Sequence, residues 1–116
     1  MIEPSDDRVP VRLAAADTAR PDEALLVEGM AAVPWGRPLA RFVPLPGVFG
    51  HAPGCTCCTP RGPVAEALGR LFLARARGEV AFFGSVVAVT ATAAGEAAVR
   101  AALAEDQVSA GRFRLA

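Results

Sequence analysis

Lysine and tyrosine are absent from this 116-residue sequence, and histidine and tryptophan occur once each, as His51 and Trp35. Without lysine the chain has no phosphate-binding loop of the G-x-x-x-x-G-K-[ST] type, in which the lysine reaches the phosphates. The G-x-S-x-G and H-E-x-x-H motifs are also missing, and a Ser-His-Asp triad would have to use His51, around which nothing suggests one. The sequence therefore predicts a protein that is not an enzyme and needs no nucleotide.

A surplus of positive charge is missing too, since the formal net charge is zero, whereas nucleic-acid-binding domains are normally basic. No apolar run reaches the roughly 18 residues that a membrane span needs. Residues 1–7 are acidic and lack the basic and apolar regions of a signal peptide. We therefore expect a cytoplasmic protein that binds neither nucleic acid nor a membrane. Trp35, between Pro34 and Gly36, is expected in the core or a lid.

What is present has the pattern of a small α/β domain. Hydrophobic residues make up 53% of the chain and charged residues 21%, a balance typical of globular proteins. We expect a disordered tail at residues 1–8 and a single domain at 9–116. Alternating strands and helices predict a parallel sheet flanked by helices, in a small three-layer α/β domain. The expected strands are 9–16, 39–43 and 80–90, the expected helices are 21–28, 63–77 and 96–104, and residues 107–116 are left unassigned.

Two of these segments rest on specific signals. The helix at 63–77 has apolar residues at i, i+3, i+4, i+7 and i+8, namely Val64, Ala67, Leu68, Leu71 and Phe72. The helix at 21–28 is predicted from Pro21 in its first turn, from the acidic Asp22 and Glu23, and from Gly29 as a stop.

The chemistry of the chain is concentrated in a loop at residues 45–62, which is rich in proline and glycine and carries the histidine and all three cysteines. Loops of this length inside a small domain are usually functional or disordered. Cys55, Cys57 and Cys58 fall within four positions, and thiolates are soft donors that prefer zinc and related ions. Zinc takes four ligands, so His51 or a carboxylate is a candidate for the fourth place. We predict a metal site at Cys55, Cys57, Cys58 and His51.

Other interpretations of the cluster stay open. Free cysteines are often buried as small apolar residues, and His51 can be an ordinary loop histidine. A redox dithiol is another alternative, although Cys55 and Cys57 do not have the C-x-x-C spacing of thioredoxin-like sites.

The segment Gly54-Cys55-Thr56-Cys57-Cys58-Thr59-Pro60-Arg61-Gly62 resembles the G-C-x-C-C-x-x-R-G segment of the CobW family of P-loop GTPases, which are cytosolic metal chaperones and insertases. Weaker similarity extends to the following helix and to the stretch at 103–115. The resemblance implies a reduced P-loop GTPase fold and binding of zinc, or another soft divalent transition metal, through the three cysteines. It also implies a CobW-type GTPase or a metal-acceptor protein as partner.

The sequence departs from that family wherever the nucleotide would be held. Residues 14–20 stand at the position of the phosphate loop, and Val89-Thr90-Ala91-Thr92 replaces the family's E-T-[TS]-G. The resemblance therefore implies a non-catalytic metal-binding domain with a role in metal delivery or homeostasis. The alternative function is a pseudo-GTPase interaction module that pairs with an intact CobW-type GTPase.

Overall fold

The computed structural model describes residues 6–44 and 62–116. In this part of the chain five strands form one sheet in the order β3-β2-β4-β1-β5, and each neighbouring pair is parallel. The strands are β1 (Val9–Leu13), β2 (Glu23–Glu28), β3 (Leu39–Phe42), β4 (Ser85–Val89) and β5 (Phe113–Leu115). The helices are α1 (Pro63–Ala76), α2 (Ala93–Glu105) and α3 (Gln107–Arg112), with a short 3-10 turn at Ala16–Thr18. The predicted α/β class with a parallel sheet is confirmed.

The layers on the two faces of the sheet are unequal. The three helices pack on one face, where residues such as Leu68 and Val99 meet Leu26 and Val86 in the main core. On the other face Leu25 and Val87 are fully buried beneath the connections that join β1 to β2 and β2 to β3. Right-handed crossovers explain this, because β1–β2–β3 and β3–β4–β5 advance in opposite directions across the sheet. We call the face covered by connections the thin layer.

Local sequence signals account for the helix boundaries. Pro63 occupies the first turn of α1, where its missing N–H costs nothing, and the preceding Gly62 has a φ of 94°. Thr92 caps α2 by accepting a hydrogen bond from the Gly95 amide at 2.9 Å. Asp106 caps α3 in the same way, accepting from the Ser109 amide at 2.9 Å. The helix expected at 63–77 is confirmed over Pro63–Ala76.

The helix predicted at 21–28 is wrong, because these residues contain β2. This strand lies between β3 and β4, and all six of its residues are buried. A strand covered on both faces is apolar throughout, so the run from Ala24 to Val27 carries no alternation that would reveal it. Glu23, read as a helix-start signal, is instead a buried carboxylate that forms an ion pair with the partly exposed Arg12.

Other boundaries shift as well. The strand expected at 80–90 is shorter, since β4 spans Ser85–Val89. The stretch left unassigned at 107–116 forms α3 and β5. Of the tail expected at 1–8, residues 1–5 lie outside the described part, while Asp6 makes ion pairs with Arg8 at 2.8 Å and Arg114 at 3.5 Å. Within residues 6–44 and 62–116, no helix has the length and apolar character needed to cross a bilayer.

Candidate functional site

The carboxyl edge of the sheet is the first place to look for a site. In open parallel sheets, ligands bind beyond this edge, where the chain leaves neighbouring strands toward opposite faces. Here the chain leaves β2 into the thin layer and leaves β4 toward α2 in the helical layer. One such crevice position therefore lies beyond Glu28 and Val89, the last residues of these two strands.

The Glu28 carboxylate occupies this position. One oxygen, Oε1, accepts hydrogen bonds from the Ala91 amide at 2.6 Å and the Thr92 amide at 3.0 Å. The other, Oε2, accepts from the Thr92 hydroxyl at 2.6 Å. The hydroxyl bond, supported by the two amide bonds, lowers the pKa of Glu28 although desolvation acts to raise it. The carboxylate is therefore held ionised at the positive end of α2.

Gly95 makes this close approach possible. A Cβ atom built on Gly95 would overlap the Glu28 carboxyl group. A side chain at position 95 would consequently push the carboxylate away from the Ala91 and Thr92 amides. The helix N-terminus that could receive a ligand phosphate in such a fold is thus filled by a carboxylate of the protein itself.

A second buried carboxylate, Glu23, lies at the opposite end of β2 and has a structural role. Arg12 donates to it through Nε at 3.1 Å and Nη2 at 2.7 Å, Ser85 Oγ donates at 2.8 Å, and the Arg20 amide donates at 2.8 Å. The Arg12 guanidinium is the chief reason why the pKa of Glu23 falls to about 2. Arg12 also donates to the Thr18 carbonyl at 2.9 Å. The hydrogen bonds of Arg12 and Glu23 therefore hold the β1–β2 connection against the sheet.

The predicted metal ligands His51, Cys55, Cys57 and Cys58, with the rest of residues 45–61, lie outside the described residues. Among residues 6–44 and 62–116, no three or more His, Cys, Asp or Glu side chains are grouped so that they could hold a metal ion.

The described structure does show where the cysteine-bearing segment starts and ends. It starts after Pro44, just beyond the carboxyl end of β3, and it ends at Gly62, where α1 begins. The other end of α1 lies at the amino edge of the sheet, because the guanidinium of Arg75 stacks 4.4 Å from the ring of Phe82, just before β4. Since α1 spans 14 residues, its first turn lies toward the carboxyl edge. Pro44 and Gly62, which flank the segment, therefore both lie toward the carboxyl edge of the sheet, the edge at which Glu28 lies.

One residue was misplaced from the sequence and another was missed. Trp35, expected in the core or a lid, is 95% exposed, so the expectation of an interior position is wrong. Glu28 was not singled out, although one signal was available: it is a lone acidic residue that ends an apolar run just before Gly29. Such a residue falls at the carboxyl end of a buried strand, where polar side chains meet.

Comparison of the chain with known protein families, with curated proteins and with solved structures finds no match.

Proposed function

We propose that this chain is a non-catalytic metal-binding domain in which Cys55, Cys57 and Cys58 bind zinc, or another soft divalent transition metal ion, as thiolates. The observation that carries the proposal is the clustering of all three cysteines of the chain within four positions. Soft sulfur donors at such short spacing are typical of zinc and related ions. His51 is the candidate fourth ligand, four residues before Cys55.

The donor set fits a delivered ion better than a permanent structural one. Three thiolates leave one of the four zinc positions to a weaker ligand or to an incoming donor. Binding requires deprotonated thiols, so it should release protons and strengthen as the pH rises. We infer a role in metal delivery or homeostasis in the cytoplasm, where thiols stay reduced. The CobW resemblance suggests a CobW-type GTPase or a metal-acceptor protein as partner.

The carboxyl edge supports the non-catalytic part of the proposal. The Ala91 and Thr92 amides, which could otherwise bind a phosphate, donate to Glu28. A nucleotide phosphate would have to displace a carboxylate that also accepts a bond from the Thr92 hydroxyl. We therefore expect no binding of GTP or ATP, and isothermal titration calorimetry of either nucleotide would test this directly.

Zinc titration of the reduced, anaerobic protein against a chromophoric chelator tests the metal site. We expect one zinc ion per chain and more than about tenfold weaker zinc binding by Cys57→Ser. Mutation of a residue that only hydrogen-bonds to a metal ligand already weakens metal binding by about that factor. Thr56→Ser is the matched control, since it alters a neighbour of the same loop without removing a sulfur. Absence of stoichiometric binding, or equal affinity of Cys57→Ser and the wild type, would refute the proposal.

The same preparation separates metal binding from thiol redox chemistry. A redox dithiol would show a low thiol pKa and a reversible Cys55–Cys57 disulfide without metal. Alkylation rates measured against pH, with and without zinc, distinguish the two. If zinc is bound as proposed, it should protect the thiols stoichiometrically. His51→Ala then tests the fourth ligand separately, with weaker zinc binding expected.

A further inference from the structure

Large apolar side chains are exposed in and around β3, the terminal strand of the described sheet. Met30, Trp35, Leu39 and Val43 have exposed fractions of 83%, 95%, 39% and 60%. All four belong to the β2–β3 connection or to β3 and its next residue, a stretch of only 14 positions. Scattered single exposures need no explanation, but exposure concentrated in one stretch suggests an interaction site. We call these four residues the edge surface.

Hydrogen bonds attach both ends of the β2–β3 connection to the sheet. The Gly29 amide donates to the Phe42 carbonyl at 2.8 Å, which places the start of the connection beside the end of β3. Arg41 Nη1 donates at 2.9 Å to the carbonyls of both Gly29 and Ala31, so β3 holds the connection against the thin layer. The Leu25 amide donates to the Pro38 carbonyl at 2.9 Å and secures the other end. The connection that carries Met30 and Trp35 is therefore anchored to the sheet on either side of these residues.

The backbone of β3 offers a place for one more strand. In the described sheet β3 is a terminal strand and pairs only with β2. Side chains alternate along a strand, so Leu39 and Val43 lie on the thin-layer side. At the open edge Arg70 reaches over from α1 and donates at 3.2 Å to the Arg41 carbonyl, which points away from β2 because the Pro38 and Phe42 carbonyls accept from Leu25 and Gly29. An added strand would meet Leu39, Val43 and the Arg41 side chain on the thin-layer face, and it would share the Arg41 carbonyl with the Arg70 guanidinium or displace it.

The connection and β3 carry positive charge, although the exposed Glu66 lies one helical turn before Arg70 in α1. Between residues 29 and 44 the only ionisable side chains are Arg37 and Arg41, and Arg70 adds a third cation. A second copy of this chain would therefore fit poorly, because edge-to-edge pairing brings like charges opposite each other. Charged residues on terminal strands are a common means of preventing such self-association. A partner segment with carboxylates has the complementary charge.

We propose that the edge surface binds an extended segment of a partner protein, in which acidic and apolar residues alternate, as an additional strand beside β3. Strand addition of this kind draws affinity from main-chain hydrogen bonds and specificity from alternate side chains. Its apolar side chains would pack on Trp35, Leu39 and Val43, and its carboxylates would face Arg70. Tryptophan and arginine are the residues most enriched among interface anchors. The inference does not depend on the cysteines.

The test uses three synthetic strand-length peptides in which valine alternates with glutamate, lysine or serine. Trp35 is the only tryptophan of the chain, so its emission reports directly on the surface. We expect the glutamate peptide alone to give a saturable blue shift, and its binding to weaken when salt rises from about 0.05 to about 0.5 M. A buried-type emission of Trp35 in the free protein, or equal binding of all three peptides or of none, would overturn the proposal.

Variants at exposed positions make the test specific. With a labelled glutamate peptide, followed by anisotropy, Trp35→Ala should weaken binding about thirtyfold, the loss typical of an interface anchor. Leu39→Ser and Arg70→Gln should weaken it as well. Val108→Ser in α3 and Arg100→Gln in α2 are the matched controls, because Val108 is exposed to a similar degree as Leu39. Equal losses in the controls, or self-association through the edge surface in sedimentation, would contradict the assignment.

Discussion

Replacing Gly95 by alanine should disrupt the Glu28 site while leaving the rest of α2 intact. The new Cβ would overlap the carboxyl group, which must then move away from its three donors. Hydrogen bonds to a charged group contribute about 1.5–3 kcal/mol each, but these are only partly buried, and water can replace some of them. We therefore expect Gly95→Ala to lower the free energy of unfolding by about 2–3 kcal/mol.

The sign of this effect should reverse once the carboxylate is gone. In a Glu28→Ala background nothing opposes the Cβ atom, and alanine is favoured over glycine inside a helix by up to about 1 kcal/mol. The coupling energy between the two positions should accordingly reach about 3 kcal/mol, at the upper end for residues in contact. Gly111→Ala in α3 is the matched control, since no atom lies within 4 Å of its Cβ position and the change should be neutral or stabilising.

Urea unfolding followed by far-UV circular dichroism measures the free energy of unfolding of the wild type, the two single variants, the double variant and the Gly111→Ala control. Trp35 fluorescence is a poor probe for this purpose because its side chain is already exposed in the folded protein. Comparable m-values across the variants would show that the unfolding transition itself is unchanged. If Gly95→Ala cost the same with and without the Glu28 carboxylate, the steric explanation would be refuted.

Three further predictions address the core, the ion pairs and the exposed tryptophan. The pKa of Glu23 is lowered from 4.5 to about 2, so its ionised carboxylate stabilises the fold by about 3 kcal/mol above about pH 5, and this contribution is lost as the pH falls toward about 2. The free energies of unfolding of the wild type and Glu23→Gln, measured in urea, should therefore converge on acidification. A constant difference between them across this pH range would contradict the prediction. Leu68→Ala should lower the free energy of unfolding by about 2–5 kcal/mol because this side chain is fully buried. Leu73→Ala in the same helix, where the side chain is 42% exposed, should cost under about 0.5 kcal/mol. Acrylamide should quench Trp35 almost as efficiently in the folded protein as in urea, and protection in the folded state would argue against its exposed position.

The contrast between α1 and β2 shows why some elements could be predicted and others not. Every signal for α1 lies within the helix or next to it, from Pro63 at the start to the apolar spacing of Val64, Leu68 and Leu71. The run from Glu23 to Glu28 has equally clear but misleading local signals. It becomes a strand because β3 and β4 pair with it on both sides and bury all six residues, a gain that outweighs the weak preference for a helix start.

The two candidate sites differ in the same way. The cysteine cluster is visible in the sequence because its donors are adjacent in the chain. The edge surface is not, since the exposure of Trp35 depends on how the β2–β3 connection crosses the sheet. A lone tryptophan between proline and glycine carries no local signal that separates an interior position from an exposed one.

The sequence by itself determined the α/β class and the helix that follows the cysteine segment, and the metal site at the cysteines stays a prediction. These depend on short-range patterns, which persist in any fold of the chain. Only the tertiary structure decided that β2 is a strand and that Glu28 occupies the start of α2. The physical reason is that the partners of Glu28, the Ala91 and Thr92 amides, lie 63 and 64 positions away along the chain. Pairing across such a separation arises only when the parallel sheet has formed.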